Sequence, residues 1–154
     1  MSLTIKERNQ SVTTLLNGMN KSLASIVPMD YQLSKPGLLG KTLSLQFGVL
    51  IGFTGALRGK LILAADLSVF ASVGEAMFGM VVEGEMLTSF SGEFGNMLAG
   101  NLSTTIGDNG MVIDITAPTI MQGNTRLSGY DKAIHLTASL INTGDLDIYL
   151  LLDQ

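Results

Sequence analysis

Glu93 and Asn96 stand three residues apart within the stretch 89–101, and the two residue types together suit one kind of chemistry. Residues at i and i+3 are neighbours on a helix, so both side chains can enter one cleft. A carboxamide has no useful acidity, but it offers an acceptor and two donors. It can hold a water molecule in line with a phosphorus atom, as a glutamine does in GTPases. A carboxylate one turn away can pair with a cation on a partner and fix the pose. Taken alone, the same pair also describes an ordinary solvated helix face.

The surrounding residues distinguish the two readings. At about 100° per residue, Phe90, Phe94, Met97, Leu98 and Leu102 gather on one side of the helix. Ser89, Glu93, Asn96, Gly100 and Ser103 fall roughly opposite. A solvated face ordinarily carries Lys, Glu and Gln, which favour helix and solubility. Here an acid and an amide are surrounded by Ser89, Gly92, Gly100 and Ser103. Glycine inside a helix costs about 0.5–1 kcal/mol relative to alanine, so Gly92, Gly95 and Gly100 are an expensive choice. A surface kept low around two polar groups suits close approach by another macromolecule.

The elements that must position this pair follow from periodicity. Residues 4–26 carry Ile5, Val12, Leu15, Leu16, Met19, Leu23 and Ile26 near helical spacing. Thr4 and Glu7 form a capping-box pattern at the start, and Pro28 closes the segment. A loop is expected around Ser34 to Gly40. From Leu43 to Phe53 apolar residues alternate with Thr42, Ser44, Gln46 and Gly48, predicting a strand with one buried face. A turn at 54–59 returns the chain into a strand at 60–65. Asp66 and Ser68 offer caps for a shorter helix at 67–79, ended by Gly79. The long helix bearing Glu93 and Asn96 is expected over 85–106 and stopped by Gly107–Gly110. Strands follow at about 111–116, 124–129, 132–141 and 145–152. The fold class is α+β: a mostly antiparallel sheet with two long helices packed together and one shorter helix. The chain, residues 1–154, reads as one domain.

Composition narrows the function. Charged residues make up 14% of the chain, against roughly 25% in an average soluble domain, which points to an oligomer interface. A net charge of −4 without Lys/Arg clusters argues against nucleic acid and against anionic membrane surfaces. No apolar run reaches the roughly 20 residues a membrane span needs, and the N-terminus lacks a secretion signal. A cytoplasmic protein is expected. The absence of cysteine removes thiolate chemistry. The one histidine, His135, reads as a strand residue on the solvated or edge face. Asp145 and Asp147 share a strand face with no histidine expected beside them, so no metal site is predicted. No phosphate-cradling glycine loop is present.

The stretch around Glu93 and Asn96 resembles the signature of the CheC/CheX family of response-regulator phosphatases. That pattern is an acidic or Ser residue, then Glu, then Asn, and a proline further on, met here by Ser89, Glu93, Asn96 and Pro118. The interval from Asn96 to Pro118 is one residue shorter than the family's usual spacing, which a trimmed turn at Gly107–Gly110 explains. The likeness runs from about Gly40 onward. CheC-like members carry the motif on both long helices and CheX-like members on one. In this chain Glu7 is followed three residues later by Gln10 in place of Asn, so the chain looks CheX-like. The resemblance implies hydrolysis of the aspartyl phosphate on a CheY-type receiver domain. Asn96 would position the attacking water and Glu93 would dock on a receiver lysine, with Ser89, Gly92, Gly100 and Pro118 at the binding surface. It also implies a homodimer joined through its sheets and no cofactor of its own, the receiver supplying Mg²⁺. Two alternatives stand beside it: a non-catalytic receiver- or flagellar-switch-binding module of the same fold, and a small domain enclosing a metabolite in an apolar pocket.

Overall fold

The computed structural model describes residues 4–153. The elements run α1 (Ile5–Ile26), β1 (Tyr31–Leu33), β2 (Gly37–Leu39), β3 (Leu43–Gly55), β4 (Gly59–Ala64), α2 (Leu67–Phe78), α3 (Gly84–Gly107), β5 (Ile113–Ile115), β6 (Thr119–Leu127), β7 (Lys132–Leu140) and β8 (Gly144–Leu152). The architecture is α+β, with three helices and an antiparallel sheet ordered β1-β7-β8-β4-β3-β5. Strand β2 adds to β7 beside β1, and β6 adds to β3 beside β5. The reading of a signal-free N-terminus rests partly on residues 1–3, which, like residue 154, lie outside the described residues.

Local chemistry accounts for the helix limits. The Thr4 hydroxyl oxygen accepts the Glu7 amide at 3.1 Å and starts α1. Gly79 ends α2 in the left-handed region at φ 70°, where glycine meets no Cβ penalty. Asp66 sits at the N-cap of α2 without using its carboxylate as a cap. Helix α3 ends where the Met111 amide returns to the Ile106 carbonyl at 3.0 Å, with Gly110 at φ 82°.

The helices cover one face of the sheet. There α1 supplies Leu15, Met19 and Leu23, and α3 supplies Phe90, Phe94, Leu98, Leu102 and Ile106, against Val49, Ile51, Leu61, Leu63 and Ile148. The rings of Phe47 and Phe70, and of Phe70 and Phe94, meet edge-on at 5.2 and 6.4 Å, a favoured aromatic geometry.

Three sequence expectations change. The pairing of β3 with β6 shifts register between Leu45 and Phe47, so the strand buries two faces and not one. Phe47, Val49, Ile51 and Phe53 enter the helix-side core. Leu43 and Leu45 join Ile62, Tyr149 and Leu151 in a smaller core on the other face. A bulge inverts the side-chain alternation. The loop expected after Pro28, around 34–40, gives way to two short strands, β1 just ahead of that range and β2 within it, three residues each, because β7 has backbone groups free along that edge. Strand β6 starts at Thr119, ahead of the expected 124, and β5 is only Ile113–Ile115.

Candidate functional site

Helix α3 is held by close backbone approach on two sides. A Cβ added to Gly95 would lie 2.8 Å from Val49 Cγ1 and 3.2 Å from Ile51 Cδ1, so the helix sits directly on β3. On the flank, α1 presents Gly18, where an added Cβ would overlap Ile106 Cγ2 and lie 3.1 Å from Leu102 Cδ1. Phe90 and Phe94 stack with centroids 5.9 Å apart beneath the helix. What remains open is one narrow stripe.

On that stripe Ser89 and Glu93 are exposed, and Asn96, Gly100 and Ser103 are half-exposed. The side chains of Glu93 and Asn96 have no hydrogen-bond or ion-pair partner among the described residues. Polar groups are ordinarily committed when the fold needs them; these two are free for something outside it. Ser103 is different, since its hydroxyl donates to the Ile113 carbonyl at 3.2 Å and ties α3 to β5. Gly100 faces open space, with nothing within 4 Å of an added Cβ. It keeps the stripe low beside Asn96.

Gly92 plays another part than the expected one. It is buried and faces the flank where Pro118 and Ile120 lie at ordinary contact distance. One residue before Glu93 is about 100° around the helix, enough to turn it from the stripe to the sheet. Its small size leaves room for Pro118 against α3 at this point. The structure therefore gathers Ser89, Glu93, Asn96 and Gly100 on one ridge, with Pro118 bordering it through Gly92.

The charge along the segment that carries the ridge is one-sided, which the whole-chain balance hides. Residues 61–125 hold Asp66, Glu75, Glu83, Glu85, Glu93, Asp108 and Asp114 but no Lys, Arg or His. The sign asymmetry is a plain sequence signal. Among the described residues, the ion pairs Arg8–Asp131 at 3.3 Å and His135–Asp147 at 2.8 Å both lie outside this segment.

The second of these corrects the expectation that no histidine accompanies the β8 acids. The β7–β8 register places His135 opposite Tyr149 and Thr137 opposite Asp147, so His135 Nε2 reaches Asp147 Oδ1. Its ring stacks on Tyr149 at 4.6 Å. The arrangement is not a nucleophile relay. Thr137 Oγ1 donates to the same Asp147 Oδ1 at 3.0 Å and lies 3.3 Å from the same His135 Nε2, so one ring nitrogen meets both groups, whereas a relay needs the hydroxyl and the carboxylate on opposite ring nitrogens. Burial pushes the Tyr149 hydroxyl above its ordinary range, and the Asp147 charge adds to the rise. An open groove of about 390 Å³ adjoins this cluster, lined by Asp66, Asp145, Asp147 and Tyr149 among others, and α3 contributes none of its walls. On α1, Glu7 and Gln10 are exposed, with Asn9 between them.

Residues 47–137 match the family described as Chemotaxis phosphatase CheX, a stretch that contains all of α2 and α3. The chain is 26% identical over 144 residues to the CheY-P phosphatase CheX of Thermotoga maritima, covering 90% of this chain and 93% of that protein. A chemotaxis protein CheX from Desulfovibrio desulfuricans has a similar fold, with a TM-score of 0.76 at 16% identity, covering 92% of this chain and 97% of that one. So does a chain from the CheX–CheY–BeF3–Mg²⁺ complex of Borrelia burgdorferi, with a TM-score of 0.74 at 21% identity over 93% and 97% of the two chains.

Proposed function

Because the chain belongs to the chemotaxis phosphatase CheX family, we propose that it hydrolyses the aspartyl phosphate of a CheY-type receiver domain through the α3 ridge. The observation that carries this is the pair Glu93 and Asn96, uncommitted within the fold and side by side on a helix pinned from behind. The name of the Thermotoga maritima relative, a CheY-P phosphatase, supports the same substrate class.

In this reading the Asn96 carboxamide enters the receiver's active site and accepts a hydrogen bond from a water molecule. The water oxygen is thereby held in line with phosphorus and opposite the aspartate oxygen. Attack forms the new O–P bond, the P–O bond to aspartate breaks, and inorganic phosphate and free aspartate result. Asn96 holds the water without taking its proton, so the gain is one of position and orientation. Glu93 pairs with a lysine of the receiver. An exposed pair is worth about 0–1 kcal/mol, but close charge pairs desolvated at an interface couple by roughly 1.5–7 kcal/mol. The receiver supplies the phosphoaspartate, the lysine and Mg²⁺. The acting unit is one domain, cytoplasmic and dimeric through its sheet.

Decay of a phosphorylated receiver, followed with wild type, Asn96→Ala and Glu93→Ala, tests this. Wild type shortens the lifetime. Asn96→Ala loses about 10²-fold in the hydrolytic rate while still binding the receiver, and Glu93→Ala weakens binding and hydrolysis together. Equal decay with wild type and Asn96→Ala would end the mechanism. Binding with an unchanged receiver lifetime would leave a docking module of the same fold.

A further inference from the structure

Helix α2 and the turn into α3 carry a second feature that the ridge does not use. Phe78, Met80, Val81 and Met86 are 60%, 56%, 62% and 56% exposed, four large apolar side chains within nine positions of sequence. Phe78 meets the buried ring of Phe90 edge-on at 5.5 Å. Met86 lies one turn before Phe90 on the same helix, a neighbouring position. The patch is thus anchored on α3 and contiguous with it. Met86 also stands seven residues before Glu93, two turns along nearly the same helical line. An exposed apolar cluster that runs into a polar site marks an interaction surface.

We infer that Phe78, Met80, Val81 and Met86 form an apolar cleat that seats the receiver domain alongside the Glu93–Asn96 ridge. The occupant follows from charge. Glu75, Glu83 and Glu85 are exposed around the cleat, and segment 61–125 has no cation to offset them. A second copy docked here by two-fold symmetry would set like against like, an isologous contact with acids facing acids. An anionic lipid surface is repelled for the same reason. A partner with an apolar patch rimmed by Lys or Arg is favoured on both counts, and acidic steering speeds its approach. The receiver is the partner that the phosphatase reading brings to this helix, and the inference rests on that reading. Glu93 and Asn96 then address the reacting group, while the cleat, two turns away, fixes which receiver is held and at what angle.

The test measures affinity apart from turnover. Wild type, the double variant Met80→Gln/Val81→Gln, and Met86→Gln are titrated with a CheY-type receiver activated by beryllium fluoride and Mg²⁺. Receiver dephosphorylation is measured in parallel, and far-UV circular dichroism with thermal melting checks that each variant folds. The cleat predicts that Kd and KM rise about tenfold or more with kcat within twofold of wild type, whereas Asn96→Ala loses kcat and keeps Kd. Glu83→Gln/Glu85→Gln slows association and flattens its dependence on salt. Met86→Gln, at an exposed helix position, decides the matter if the double variant is unstable. Unchanged receiver affinity in the folded variants overturns the cleat. So does a loss of self-association in the Met80→Gln/Val81→Gln chain with receiver affinity intact, which would assign the patch to a second copy. Failure of wild type to shorten the receiver lifetime ends the phosphatase reading alone, since the beryllium fluoride titration still reports on the cleat.

Discussion

Pro118 rests on the backbone of Gly92: a Cβ added at Gly92 would lie 3.7 Å from Pro118 Cγ and 3.5 Å from Ile120 Cδ1. Those are ordinary contact distances, so the site has room for one methyl group and no more. Three residues along, Gly95 has no such room against Val49.

The two glycines therefore answer differently to the same change. Gly92→Ala fits, and relief of the glycine cost leaves stability equal to wild type or higher by about 0.5–1 kcal/mol. Gly95→Ala must push aside a β-branched side chain held in a central strand, which costs about 1–3 kcal/mol. Chemical denaturation of the two variants measures the contrast. A Gly95→Ala chain as stable as wild type would show that α3 and β3 separate easily.

Gly100 separates stability from function. Its Cβ direction is empty, so Gly100→Ala stabilises the helix by about 1 kcal/mol. The same methyl raises the ridge beside Asn96, and Gly100→Gln raises it further. Denaturation midpoints should rise for alanine, while KM for the phosphorylated receiver climbs from alanine to glutamine. A rising midpoint with unchanged KM would place Gly100 outside the docking surface.

Tyr149 predicts an alkaline weakness. Its hydroxyl is raised from 10.0 in the fold by burial and by Asp147. As pH climbs above that value the unfolded chain loses the proton first, so the unfolded state gains and stability falls. The contribution is whole below the unfolded pKa and is lost as pH rises through the higher folded one. Thermal melts at about pH 9 and 11 should show a larger drop for wild type than for Tyr149→Phe. Equal drops would mean that Tyr149 ionises in the fold as freely as in the open chain.

Much of the fold was legible because it follows from short-range rules. The Thr4 cap, the Gly79 stop and the long apolar stripe of α3 are local, and each sits within a residue or two of its expected place. The misses are all non-local. Strands β1 and β2 are three residues each and exist because β7 offers an edge. The bulge that turns Leu43 and Leu45 to the second face depends on pairing with β6, which no periodicity within β3 reveals. His135 and Asp147 meet only through the β7–β8 register. At the site, Ser89, Glu93, Asn96 and Gly100 were placed together by helical geometry alone. Gly92 was assigned to the wrong flank because the side that a sheet will cover cannot be read from the helix. The acidic run of segment 61–125 is hidden in the whole-chain net charge, which averages it against the basic residues ahead of it, from Lys6 to Lys60.

Clamping α3 from two directions also limits how such a protein can change. With Gly95 seated on β3 and Ile106 seated against Gly18, substitutions on those flanks disturb packing before they reach a partner. Only a handful of outward positions remain for adjusting which receiver is recognised. Shifts in partner preference among related chains should therefore concentrate in the turn from α2 into α3, where Met80 and Val81 can vary at little expense to the core.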